Sequence, residues 1–180
     1  KYHTKHTRIF SKGKSTMKNY EDPILVKIRD LLNVHGPKEL RNKYYLGDPM
    51  LVNKSDLPMA FISYEKHDIV DDASHSIETH STVIVDVAYD LTKDFNRTSK
   101  ASGSHMALTK IICGRNDQYQ LLDDSILAVL RRFQDDQEDE LIIELGTSTQ
   151  VEYIVNERGN SVFTNEALVR FMVRAREFVG

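Results

Sequence analysis

Hydrophobic residues recur along this chain with two different periods. In EDPILVKIRDLLNVHGP, residues 21–37, Ile24, Ile28, Leu31 and Leu32 fall at helical spacing, with Leu25 beside them. Glu21 and Asp22 suit a helix N-terminus, Pro23 its first turn and Gly36-Pro37 its end, which predicts an amphipathic helix of about three turns. A Gly47-Asp48-Pro49 turn and Pro58 then introduce an apolar run, Met59 to Tyr64, expected as a strand. Residues 67–76 are polar and read as a loop or an exposed strand end. ETHSTVIVDVAYDL is the clearest strand, with Val83, Val85, Val87 and Tyr89 on one face.

Residues 92–106, TKDFNRTSKASGSHM, read as a flexible loop. NDQYQLLDDSILAVLRRF reads as a second helix, its stripe made of Leu122, Ile126, Val129, Leu130 and Phe133, with Arg131 and Arg132 near its C-terminus. ELIIEL and QVEYIV read as strands, and residues 157–160 as a turn. The last segment, TNEALVRFMVRAREFV, fits two periods. As a helix it aligns Leu168, Phe171, Met172, Ala175 and Phe178. As a strand it puts Ala167, Val169, Phe171, Val173 and Ala175 on one face, and Leu168, Arg170, Met172, Arg174 and Arg176 on the other. Its valines and its place after a hairpin favour the strand. The expected fold is α+β, a mostly antiparallel sheet with two helices packed on one face.

Composition adds a boundary. The chain has 180 residues, 40% hydrophobic and 28% charged, enough for one domain with a real core. Residues 1–20 hold Lys1, Lys5, Arg8, Lys12, Lys14 and Lys18 and no acid, so they carry +6 and leave −9 for the rest of a chain of net charge −3. The organisation expected is a basic arm, 1–20, on a single acidic domain, 21–180. The one cysteine, Cys113, follows Ile111 and Ile112 and reads as a small buried hydrophobe. No apolar run reaches the roughly 18 residues of a membrane span.

Candidate chemistry is thin. SKGKST, residues 11–16, ends like a phosphate-binding loop, but Arg8 stands where its first glycine belongs and Pro23 forbids the helix that should follow. His67, Asp68, Asp71, Asp72, His75, Glu78 and His80 crowd together, yet their spacing does not set the histidines on one helical face. A metal-dependent hydrolase using His67, Asp71 and His75 is the enzymatic alternative, and a nucleic-acid-binding module using the basic arm is another. The acid pairs Asp71-Asp72, Asp123-Asp124 and Asp135-Asp136 read as solvated. There is no nucleophile elbow and no glycine-rich dinucleotide loop. The sequence is read as that of a non-enzyme without cofactors. Arg170, Arg174 and Arg176 would share one strand face and repel one another unless carboxylates lie nearby.

The segments YLGDPMLVNKSDLPMAFISY, STVIVDVAYD, LLDDSILAVLRRF and ALVRFMVRARE, in this order after an amphipathic helix, resemble the tail terminator (tail completion) proteins of long-tailed bacteriophages. The resemblance covers about residues 21–178. It implies a ring-forming protomer, commonly hexameric, that caps the tail tube, stops its polymerisation and presents a surface to a head connector or stopper protein. The partners implied are other copies, the tail tube protein and DNA passing through the lumen. The place implied is the head-proximal end of the virion tail, after assembly in host cytoplasm. The arm at 1–20 and the loop at 92–106 would be assembly elements. Lys12, Lys14 and Lys18 of one copy would meet Asp135, Asp136 and Glu138 of the next, with Arg170, Arg174 and Arg176 as a further charged contact. Another head-to-tail connection protein, a stopper or adaptor, is the near alternative.

Overall fold

Asp22 starts the first helix. In the computed structural model, which describes residues 21–72, 76–95, 103–134, 141–146, 149–159 and 161–178, its Oδ1 accepts the N–H groups of Ile24 (2.9 Å) and Leu25 (3.1 Å). That cap starts helix α1, Pro23–His35. The same oxygen accepts the Tyr64 hydroxyl at 2.8 Å, which ties the helix start to the sheet.

The sheet contains β1 (Tyr44–Leu46), β2 (Met59–Asp72), β3 (Ser76–Asp90), β4 (Leu141–Glu144), β5 (Gln150–Glu157) and β6 (Phe163–Phe178). Its order is β1-β2-β3-β6-β4, and β5 pairs with the other half of the same β6 edge. Among the described strands only the β1–β2 pair is parallel. The fold is therefore α+β around a largely antiparallel sheet. The final segment is a strand: its alternating set Ala167, Val169, Phe171, Val173 and Ala175 is buried against the helices.

Alternation decides what each face does. Val83, Val85 and Val87 of β3 share the covered face with Ala60, Ile62 and the β6 set. From above come Ile24, Leu25, Ile28 and Leu32 of α1, then Leu108, Ile111 and Ile112 of α3 (Gly103–Cys113), and Ile126, Val129 and Leu130 of α4 (Ile126–Arg132). Burying each large side chain of this kind contributes about 1.5–3 kcal/mol before chain entropy is counted.

Four expectations are corrected. Three helices rather than two pack on this face. The expected loop at 92–106 is helical at both ends, with a short helix α2 (Thr92–Phe95) and the start of α3 at Gly103. Polar side chains cap those ends: Asp90 accepts the Thr92 N–H (2.9 Å), and Asp94 accepts the Ser104 N–H (2.8 Å). The helix expected over 116–133 spans only Ile126–Arg132. Asn116 Oδ1 accepts the N–H groups of Gln118 and Gln120, both at 3.0 Å, which holds that stretch in a turn, and Ser125 caps the helix instead. Finally, the strand read as Met59–Tyr64 continues to Asp72, through an irregularity between Tyr64 and Lys66, so of the two readings of 67–76 the strand end holds as far as Asp72.

Candidate functional site

The face of the sheet turned away from the helices carries the charge. Strand pairing sets β6 residues 170, 174 and 176 on it, and the structure brings carboxylates to each arginine. Arg170 binds Glu65 through Nε (3.0 Å) and Glu152 through Nη1 (2.8 Å). Arg174 pairs with Glu144 of β4. Arg176 lies 3.5 Å from Glu78, which also bonds His80 at 2.6 Å. That histidine bond, helped by Arg176, holds the Glu78 carboxyl below its usual range. The repulsion expected among the three arginines is thus relieved within the chain, by acids from four different strands or their bulges.

A second charged group lies at the other end of this face, under the loop that follows β1. Arg158, just past β5, forks onto Glu166: Nε to Oε1 at 2.7 Å and Nη2 to Oε2 at 2.9 Å. Its Nη2 also reaches Asp86 of β3, and its Nη1 reaches Asp48 and the Pro49 carbonyl (3.1 Å). The guanidinium lies 4.9 Å over the Phe61 ring. Thr164 and Asn156 donate to the remaining sites on Glu166, at 2.5 and 3.2 Å. The side chains of Arg158, Asp86 and Glu166 are only 4%, 9% and 1% exposed.

Three acids share this one arginine, and the two buried ones, Asp86 and Glu166, titrate apart. Burial, then the neighbouring Glu166 charge, pushes Asp86 up to about 7 in spite of Arg158. Burial also acts against ionised Glu166, but the bonds from Arg158 and Thr164 outweigh it and keep that carboxyl low. Asp86 Oδ1 is buried without a hydrogen-bond partner among the described residues. A pair of acids pushed apart in this way resembles an acid–base couple. Here both are sealed between Phe61 and the 48–49 loop, so the cluster acts as a clamp that pins that loop to the sheet.

The other sequence candidates fare differently. Lys12, Lys14, Lys18, Asp135, Asp136 and Glu138 lie outside the described residues, as do His75 and residues 96–102. His67 and Asp68 alternate along β2, and His67 Nδ1 is 2.7 Å from the Ser81 hydroxyl. Among the described residues no group of three or more His, Cys, Asp or Glu side chains could hold a metal ion, and no helix is long and apolar enough to cross a membrane. Cys113 is half-buried at the end of α3. Arg158, Asp86 and Glu166 were invisible as a group in the sequence. The one signal was an acid, Asp86, set inside the valine-rich VIVDVAY.

Compared with known proteins, the chain matches no protein-family model. No curated protein matches it either.

Proposed function

We propose that this chain is a structural protein of a phage tail: a protomer of a hexameric ring that caps the tail tube, ends its polymerisation and meets a head connector or stopper protein. The observation that carries the reading is the open sheet face from Arg170 to Arg176. It is an extended surface of both charge signs, internally paired, with no helix among the described residues over it. Such a surface stays soluble when alone and docks on a ring of complementary charge when one is presented. The order of elements in residues 21–178, an amphipathic helix, a G-D-P turn, paired long strands, a short helix and a closing arginine-bearing strand, supports the same reading. In the proposed ring, Lys12, Lys14 and Lys18 of one copy meet Asp135, Asp136 and Glu138 of the next, a heterologous contact that closes on itself.

The test is the absolute mass of the purified chain by light scattering, with negative-stain imaging, alone and with tube protein. A closed ring under either condition is expected, and absence of a ring under both overturns the proposal. Charge reversal at Lys12, Lys14 and Lys18 together should weaken ring formation, and unchanged assembly would remove the arm from the interface.

A further inference from the structure

The outer edge of β2 is paired over only a short part of its length. β1 covers Ala60 to Ile62, and beyond the irregularity at Glu65 no described strand lies along β2 from Lys66 to Asp72. The direction of its backbone groups follows from the bonds β1 makes. Ala60 N–H donates to the Lys43 carbonyl and the Ile62 carbonyl accepts from Gly47 N–H, both at 2.9 Å, so even-numbered residues face outward there. The irregularity shifts the phase by one: Tyr64 pairs with Val83, but Lys66 with Thr82. Past it, His67, Ile69 and Asp71 turn their N–H and C=O groups outward.

Unpaired edges of this length are normally guarded by lysines, bulges or a covering element. Here the bulge and Lys66 stand at the near end only. Further along, Ile69 is 66% and Val70 46% exposed, one on each face of the sheet.

We propose that this edge pairs, antiparallel, with the same edge of a second copy, with the two-fold axis at Ile69. That register sets Ile69 opposite its mate and His67 opposite Asp71, so every outward N–H and C=O between them finds a partner. The segment reads Lys66-His67-Asp68-Ile69-Val70-Asp71-Asp72, basic at one end and acidic at the other. Antiparallel self-pairing about Ile69 therefore places Lys66 opposite Asp72. The neighbouring symmetric registers are disfavoured: an axis at Asp68 opposes Asp68 to itself, and an axis at Val70 opposes Asp68 to Asp72. The exposed Lys66–Asp68 pair within each chain, 2.5 Å, gives way at little cost. The contact is isologous, closes at two copies and needs no tail protein, so it stands apart from the ring reading.

The experiment combines mass and amide exchange on the intact chain. Light scattering across a concentration series should show a monomer–dimer equilibrium. Ile69→Pro removes an outward donor without touching the ladder to β3, and should weaken the dimer by at least about tenfold. In the wild type, the His67 and Ile69 amides should exchange slowly in the dimer and fast on dilution, while those of Lys66 and Asp68, which face β3, stay protected at both concentrations. A monomer at every concentration overturns the proposal, as does a dimer or larger assembly whose His67 and Ile69 amides exchange fast. Should Ile69→Pro fail to fold, the exchange pattern of the wild type decides alone.

Discussion

Two clusters of arginine and carboxylate occupy opposite ends of one sheet face, with the same chemical groups in very different surroundings. At the Asp86 end the side chain of Arg158 is 4% exposed and lies under the 48–49 loop. At the other end, Arg174 and Arg176 are 39% and 54% exposed, each with one acidic partner among the described residues. A buried ion pair that loses one member leaves an uncompensated charge and costs about 3–5 kcal/mol, whereas an exposed pair contributes about 0.2–1 kcal/mol. The comparison teaches that charge content does not locate the structural interactions; burial does. One end holds the fold together, and the other leaves the surface charged and available.

The largest effect should come from Arg158→Met, which keeps the aliphatic volume over Phe61 but strands Asp86 and Glu166 together. Urea unfolding at pH 8 should show a loss of about 3–5 kcal/mol. The loss should shrink at pH 5, where the acids take up protons. A loss below about 1 kcal/mol at pH 8 would put this cluster in the same class as the exposed ladder and break the comparison.

The next effect is a pH slope. Asp86 titrates at about 7 in the folded chain, against about 3.9 for an unfolded aspartate. Between those values the folded chain holds a proton that the unfolded chain has released, so stability falls as pH rises through this window and levels off above about 7. Glu166 works with the opposite sign: its lowered pKa stabilises the fold above the ordinary glutamate value and is lost as pH falls further. Asp86→Asn should flatten the falling limb in urea midpoints measured from about pH 3 to 8, with the acid limb left in place. An unchanged slope would assign it to another group.

The same contrast explains what could be read before the structure was known. The ladder arginines were legible because Arg170, Arg174 and Arg176 keep strand parity in a single segment. Their partners, Glu65, Glu78, Glu144 and Glu152, sit on other strands, and no local period names them. The Arg158 cluster was hidden for a stronger reason. Arg158 reads as a turn residue beside Gly159, Glu166 as the polar start of a strand, and Asp48 as half of a turn 110 positions away. Parity placed Asp86 opposite its valine neighbours, and the loop after β1 makes that place dry. Helix α3 was missed because its first turn, Gly103 to Met106, has loop composition. Ser104 is satisfied there by Asp94 and by Asn165, both distant in sequence from the apolar stripe that follows.

A smaller effect belongs to the turn that delivers Arg158. Gly159 adopts φ +63°, and a Cβ built there would lie 2.3 Å from Leu51 Cδ2. Gly159→Ala should cost about 1–2 kcal/mol from the left-handed backbone. Leu51 is largely exposed and moves aside, so it adds little. A larger loss in urea unfolding would mean that the loop and turn lock together more tightly than their exposure implies.

The smallest effect should come from the ladder itself. Arg174→Gln removes the charge paired with Glu144, whose side chain is 35% exposed. Its Nε is buried and has no hydrogen-bond partner among the described residues, so truncation leaves no acceptor there unsatisfied. Unfolding free energy should change by less than about 1 kcal/mol, and added salt should narrow that difference further. If docking on a ring of opposite charge is what this face does, the same substitution should weaken assembly more than it weakens the fold. A loss above about 2 kcal/mol in the isolated chain would instead make the ladder a second clamp, because exposed pairs do not reach that value.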